Sequence, residues 1–358
     1  MSGPAVTVLM GVYNGEVFVR EAIDSILAQT CRDFELLVVD DGSTDATAAI
    51  LASYDDNRLR VIHNEGNIGL TRSLNRGLRV ARGELIARQD ADDISRPERL
   101  ARQVAFLESH PGVVVLGTQF VSRDAWRHRL MNLWMRCETP LGIRWQLLFE
   151  NPFVHSSVMF RRDVIVDHYG GYDETFRTNQ DIELWSRIAP EHGLRNLPEA
   201  LVALRHRAAS VSGSYGREAV RKVADVTIAN RRLTLGPDLA GDAGIEVLTR
   251  AFNPGLFPSV QSLRPVAGLI ERSYERFVEL WPEARHVREI RRLAASLMAR
   301  AATACATRSP LAMSRWYMEA ARYHLPTVGR GALPFAAMGG VGLWRRTFGD
   351  PARAREME

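Results

Sequence analysis

The stretch "FELLVVDDGSTD", residues 34–45, decides the fold. Its first half is apolar at nearly every position instead of every second one. A strand reads that way when both faces of its sheet are covered, as in parallel sheets flanked by helices. Two aspartates, Asp40 and Asp41, close the run. Gly42 and Ser43 then turn the chain into "DATAAILASY", a helical stretch opened by Ser43 or Thr44.

The same alternation extends to both sides. "AVTVLMGV" (5–12) is a β-rich run, and Asn14 is expected to cap a helix whose face carries Phe18, Ala22, Ile23, Ile26 and Leu27. "LRVIHN" (59–64) reads as a third strand. Leu70, Leu74 and Leu78 then stack at helical spacing, and "GELIARQD" (83–90) reads as a fourth strand. Ser95-Arg96-Pro97-Glu98 has the form of a capping box ahead of "ERLARQVAFLESH", and "GVVVLG" (112–117) is a fifth strand. Strand and helix in regular turn predict an α/β fold, a mostly parallel, Rossmann-like sheet with helices on both sides. "HSSVMFRRDVI" (155–165) reads as a strand and turn, and "NQDIELWSRIA" (179–189) as a helix. From about residue 214 amphipathic helices dominate, so a boundary is set near 210: a domain over 1–210 and an α-helical C-terminal region over 211–358.

Composition narrows the class. The chain has 358 residues, 46% hydrophobic and 25% charged, as expected of a soluble globular protein of two domains. No secretory leader or membrane-spanning run is expected, and the cytoplasm is the default. Three scattered cysteines suggest neither a disulfide framework nor a zinc site. Residues 1–209 hold 24 Arg/Lys against 28 Asp/Glu, whereas 210–358 hold 22 against 14. A basic C-terminal half suits peripheral contact with the inner, anionic face of a membrane, or equally a solvated helical surface; a homodimer is a further use for it. Nucleic-acid binding rests on pI alone and is set aside. "GALPFAAMGGVGLW" (331–344) is too short to span a bilayer and reads as a packed hairpin or an interfacial contact.

Ligands of open α/β sheets bind at the carboxyl ends of the strands. Asp40-Asp41 lie at one such end and Asp90, Asp92 and Asp93 at another. Two carboxylates about 5 Å apart repel by roughly 3 kcal/mol at an effective dielectric near 20, so positive charge is expected beside the second group.

Six segments in order, "TVLMGVYNGEVFVREAIDSILAQT", "FELLVVDDGSTD", "GLTRSLNRG", "ARGELIARQDADD", "HSSVMFRR" and "QDIELWSR", resemble family 2 glycosyltransferases of the GT-A fold. The resemblance spans about residues 5–206. It implies an inverting transfer of a sugar from a nucleotide diphosphate to a hydroxyl. Asp90-Ala91-Asp92 resembles the family's DxD element. By that resemblance Asp92 binds Mn²⁺ or Mg²⁺ held by the donor's diphosphate, and Asp90 contacts the ribose or the metal shell. Hard, oxygen-seeking cations suit such carboxylates. Asp93 either joins them or starts a turn. Asp41 would accept from a pyrimidine ring N–H and Tyr13 would stack on the base, which favours a UDP- or dTDP-sugar. Asp40 is read as a cap or a structural hydrogen bond. Arg72 and His155 match positions near the donor, against bland readings as a surface arginine and a packed histidine.

The resemblance makes Asp181 the general base, on the face opposite the leaving diphosphate. Gln180 stands where the family often has Glu, Glu183 is the fallback base, and Trp185 reads as core. The acceptor implied is a glycan or lipid-linked glycan. Other readings compete with this one. A sugar nucleotidyltransferase would need a Gly-rich, basic phosphate loop where "MGVYNGEVF" stands. A non-catalytic binder of nucleotide sugars would be expected to lose Asp92 or Asp181, and both are present.

Overall fold

The computed structural model describes residues 3–122, 136–205, 216–241 and 263–305. The segment 331–344 lies outside them. Four parallel strands open the chain: β1 (Val6–Val12), β2 (Phe34–Asp40), β3 (Leu59–His63) and β4 (Leu85–Asp90). They pair in the order β3-β2-β1-β4. Every residue of β1 and β2 is buried, as the unbroken apolar runs predicted.

Helices α1 (Val19–Leu27) and α2 (Thr47–Ala52) cover one face, where Val6, Val8, Met10, Leu36 and Val38 pack with Ala22, Ile23, Ile26 and Leu51. Helix α3 (Leu70–Val80) covers the other. It approaches so closely that a Cβ on Gly77 would lie 2.3 Å from Leu9 and 3.1 Å from Val39, so no larger residue fits without a shift. Each fully buried Leu or Val side chain contributes about 1.5–3 kcal/mol.

Beyond β4 the pattern changes. A two-residue strand β5 (Ile94–Ser95) precedes helix α4 (Arg99–Ser109), and the long β6 (Val113–Ser122) follows. After helix α5 (Pro140–Gln146) come β7 (Met159–Arg161), α6 (Gln180–Ile188) and β8 (Gly193–Leu204). The eight strands run β3-β2-β1-β4-β7-β6-β8-β5. The fifth strand read from sequence is therefore not β4's neighbour. Three-residue β7 lies between them, antiparallel to both, and β5 is antiparallel to β8.

Three helix starts read from sequence are corrected. Asn14 has φ +49° and its Oδ1 accepts from Thr44 N at 2.9 Å, while Gly15 O takes the amides at the start of α1. Ser95 sits in β5, not at a helix cap; its hydroxyl donates to Gln89 Oε1 (2.7 Å) and accepts from Arg99 Nη1 (2.9 Å). Helix α2 likewise begins after Asp45, whose Oδ1 accepts from Thr47 N (3.0 Å), rather than at Ser43 or Thr44.

The described residues fall into two compact units. One holds 3–122, 138–147, 151–205 and 216–222; the other holds 136–137, 148–150, 223–241 and 263–305. The second unit holds residues 223–235 of helix α7 (Gly216–Leu235), with α8 (Leu263–Leu280) and α9 (Arg288–Cys305). In the second unit Val266, Leu269, Ile270, Phe277, Ile290, Leu293 and Leu297 are buried. No helix among the described residues is long and apolar enough to cross a membrane.

Candidate active site

The acidic stretch at the end of β4 carries its own cation. Arg88, 1% exposed, lies in the same strand, and its Nη2 is 2.5 Å from Asp90 Oδ1. Burial pushes the Asp90 carboxyl up, but Arg88, His155 and Ser156 outweigh it and hold the group below the usual carboxylate range. Ser156 Oγ lies 2.5 Å from Asp90 Oδ2 and 2.5 Å from Asp93 Oδ2. One hydroxyl has one proton, so the second short contact needs a proton from a carboxyl. Asp93 is that group: burial first, then Asp90 and Asp92, pushes it up to about 7. Three carboxylates in four residues are thus tolerated because one is paired with arginine and one keeps its proton up to about neutrality.

This loop is braced from two directions. Arg205, at the end of β8, donates from its backbone N to Asp93 Oδ1 (2.9 Å) and from Nε to Asp92 O (3.2 Å). Beneath it Arg99 is fully buried and has no carboxylate among its hydrogen-bond partners. Its guanidinium donates to Gln89 Oε1, Ser95 Oγ, Arg88 O, Val158 O and Gln103 Oε1, at 2.7–3.2 Å. Burial lowers it to about 9, so it remains a cation at pH 7. Gln103 carries the tie onward to Leu116 O and Ser157 O, joining β4, β6 and the turn before β7.

At the end of β2, Asp41 is 3% exposed. Its Oδ1 accepts from Asn64 Nδ2 (2.7 Å) and Ile68 N (2.9 Å), and its Oδ2 from Gly69 N (2.9 Å). Asp40 takes the structural role read for it, accepting from Ser43 N and facing His63 Nδ1 at 3.0 Å. Tyr13, just past the end of β1, is 48% exposed. Arg72 is largely exposed on α3, with Nε 3.5 Å from Glu174 Oε2.

The segment after α5 brings the remaining groups together. His155 Nε2 is 2.9 Å from the Tyr172 hydroxyl, and its ring meets Trp185 edge-on at 6.5 Å. Burial pushes its imidazole down to about 4, and Arg88 adds to this against the opposing fields of Asp181 and Asp90. His155 is therefore neutral at pH 7. Tyr172 feels the same two aspartates. Ser156, next to His155, contacts Asp90, and the His155 ring meets Trp185, one turn along α6 from Asp181, so His155 lies between the β4 acidic loop and the helix that carries Asp181. Asp181, 9% exposed, lies in the first turn of α6 and accepts from Asn151 Nδ2 at 2.6 Å. Glu183 is clamped by Arg187 (2.6 and 2.9 Å), which makes it a poor substitute base. Trp185 is core, packed on Phe153 and Phe160.

Sequence reasoning singled out Asp90, Asp92, Asp181 and His155, and these share one end of the sheet. Asp41 and Tyr13 follow the neighbouring strands β2 and β1. Arg88, Arg99, Asn151, Ser156, Tyr172 and Arg205 were missed. One signal was available: an Arg-Gln pair inside the otherwise apolar "LIARQD" is anomalous for a buried strand. Among the described residues no three His, Cys, Asp or Glu side chains group to hold a metal by themselves. Two neighbouring aspartates at a strand end do fit a hard cation that takes its other ligands from a bound diphosphate.

The comparisons agree with this geometry. The model of "Glycosyl transferase family 2" matches residues 7–168. EpsE of Bacillus subtilis (strain 168), a glycosyltransferase by name, is 41% identical over 211 residues, 57% of this chain and 74% of that protein. The amylovoran biosynthesis glycosyltransferase AmsE of Erwinia amylovora is 33% identical over 208 residues, 56% of this chain and 75% of that protein. In fold, the chain resembles the crystal structure of S. aureus TarS 1–349, with a TM-score of 0.53 at 20% identity, covering 91% of this chain and 92% of that one. A complex of the same TarS fragment with UDP-GlcNAc gives 0.53 at 22% identity, covering 84% and 91%. With its GT-A sheet and this degree of identity across most of two named relatives, the chain belongs to glycosyl transferase family 2 and is a glycosyltransferase.

Proposed function

We propose that the protein transfers a glycosyl unit from a UDP- or dTDP-sugar to a hydroxyl of a glycan or lipid-linked glycan, with inversion. The observation that carries this reading is the 153–157 segment, where Ser156 contacts Asp90 and the neighbouring His155 ring meets Trp185, one turn from Asp181 on α6. A single displacement needs charge control on the leaving diphosphate and a base across from it, and Asp90 with Asp92 would serve the first need and Asp181 the second. Asp181 takes the proton of the incoming hydroxyl. Neutral His155 and the Tyr172 hydroxyl offer uncharged hydrogen bonds near the donor. Asp92, with Asp90 beside it, would hold Mn²⁺ or Mg²⁺, which stabilises the negative charge building on the departing diphosphate.

Asp41 Oδ2 takes only one backbone N–H among its hydrogen bonds, so it retains accepting capacity for a ring N–H. Uracil and thymine carry that proton at N3 and cytosine does not, while exposed Tyr13 offers a face for stacking. Arg72 reaches toward the donor from α3. Residues 1–210 act as the catalytic domain. Residues 211–358 serve acceptor, membrane or subunit contacts from the cytoplasmic side.

Thermal denaturation with UDP-glucose, dTDP-glucose and CDP-glucose, with and without Mn²⁺, tests the donor site. The melting temperature is expected to rise with a UDP- or dTDP-sugar plus Mn²⁺, and Asp92→Ala is expected to abolish the rise. An equal rise with CDP-glucose would sink the base assignment. An undiminished rise in Asp92→Ala would sink the metal assignment.

A further inference from the structure

We infer that Asn151 is a positioning residue that holds the Asp181 carboxylate in its working orientation, a role that rests on Asp181 being the base. The Asn151 amide has a defined sense. Its Oδ1 accepts from Phe153 N at 3.1 Å, so Nδ2 is the end turned to Asp181 Oδ2, at 2.6 Å. A short contact from a neutral donor to an ionised acceptor is among the stronger protein hydrogen bonds. It occupies Oδ2 and leaves Oδ1 to meet the acceptor hydroxyl.

The support beneath Asn151 is rigid. Pro152 O accepts from Asn196 Nδ2 at 3.1 Å. The Phe153 ring packs over Gly117, where a Cβ would come within 2.5 Å of it. The same ring meets Trp185 at 5.6 Å, edge to face. Trp185 follows Asp181 by four residues on α6, so the two lie one turn apart on the same face. The segment 151–153 therefore grips that face at two successive turns, through an amide at Asp181 and a ring at Trp185. Asp181 acts on two titratable groups, His155 and Tyr172, and neither is charged at neutral pH, while its hydrogen bond among the described residues is the one from Asn151 Nδ2. The orientation of Asp181 thus depends on the amide rather than on an ion pair. Misplacing a catalytic group by about 1 Å can lower a rate by roughly 100-fold.

Asn151→Ser keeps an oxygen able to accept from Phe153 N, as Ser does in such turns, but cannot reach Asp181. Asn151→Asp keeps the size and the turn while replacing the donor with an acceptor. A crystal structure of Asn151→Ser, compared with one of wild type, is expected to show the Asp181 carboxylate turned from its wild-type orientation. Nucleoside diphosphate release from UDP-glucose and dTDP-glucose with Mn²⁺ gives the kinetic arm. Water attacks the anomeric carbon, the bond from that carbon to the diphosphate oxygen breaks, and the water proton passes to Asp181 Oδ1. In both variants kcat is expected to fall roughly 10- to 100-fold with the donor KM unchanged. An unmoved Asp181 rotamer, a wild-type kcat, or a loss confined to KM would overturn the proposal. Asp181→Asn separates the two ideas. If it turns over like wild type, the base assignment fails and takes this role with it. If it is inactive while Asn151→Ser is not, the role of Asn151 fails alone.

Discussion

The two halves of the sheet are held by different chemistry. From β3 to β4 the strands are parallel, and β1 and β2 are buried from end to end under α1, α2 and α3. From β7 to β5 the sheet has two antiparallel junctions, and polar side chains reach across it. There Arg99, Gln103, Asn196 and Arg205 each bond to groups distant in sequence. The apolar half tolerates local error because its stability is spread over many similar contacts. The polar half places single atoms, and the acidic loop, His155 and the Asn151–Asp181 pair all lie on or beside it. Position is bought there with buried hydrogen bonds that must all be made.

Substitutions on the two sides should separate these roles. Arg99→Met removes a guanidinium bonded to three side chains and two carbonyls, leaving buried acceptors unsatisfied. A loss of about 4 kcal/mol is expected in urea unfolding, together with weaker Mn²⁺-dependent donor binding, because the loop after β4 loses its base. Leu36→Ala in β2 should cost about 3 kcal/mol by the same measurement, with donor affinity in the surviving folded fraction unchanged. Equal damage to binding from both would erase the distinction.

Asp93→Asn makes an opposite change, confined to one range of pH. The Asp93 carboxyl is raised from 3.8 to about 7, so the folded state holds its proton more tightly than the unfolded state. Stability from this group is present below pH 4 and is lost as pH rises through about 7. Asn151's neighbourhood is untouched, and an amide at 93 can still donate to Ser156. The variant should therefore gain on wild type progressively between about pH 4 and 7, reaching about 4 kcal/mol at pH 8.5. A gain that is the same at pH 4 and pH 8.5 would contradict a protonated Asp93.

The same division explains what could be read beforehand. Strands β1 to β4 and helix α3 were legible because burial on both sides writes itself as continuous apolar runs and leucine spacing. Strands β5 and β7, of two and three residues, are too short to carry a period. Asn14 and Ser95 have the chemistry of caps, but tertiary partners, Thr44 N and the Gln89–Arg99 pair, claimed their oxygens. Asp90, Asp92 and Asp181 were legible through their segments' resemblance to a known family. Ser156 and Asn151 were not, because their partners are 66 and 30 residues away and nothing local marks them.

The division of labour between the two carboxylates can be tested at one residue. The measurement is the rate of nucleoside diphosphate release by Asp181→Asn at saturating donor and Mn²⁺, with donor affinity followed by calorimetry on the same sample. A base that takes no part in holding the nucleotide predicts a fall of roughly 10²- to 10⁴-fold with affinity within a factor of three. Turnover at the wild-type rate, or a loss explained wholly by weaker donor binding, would contradict it.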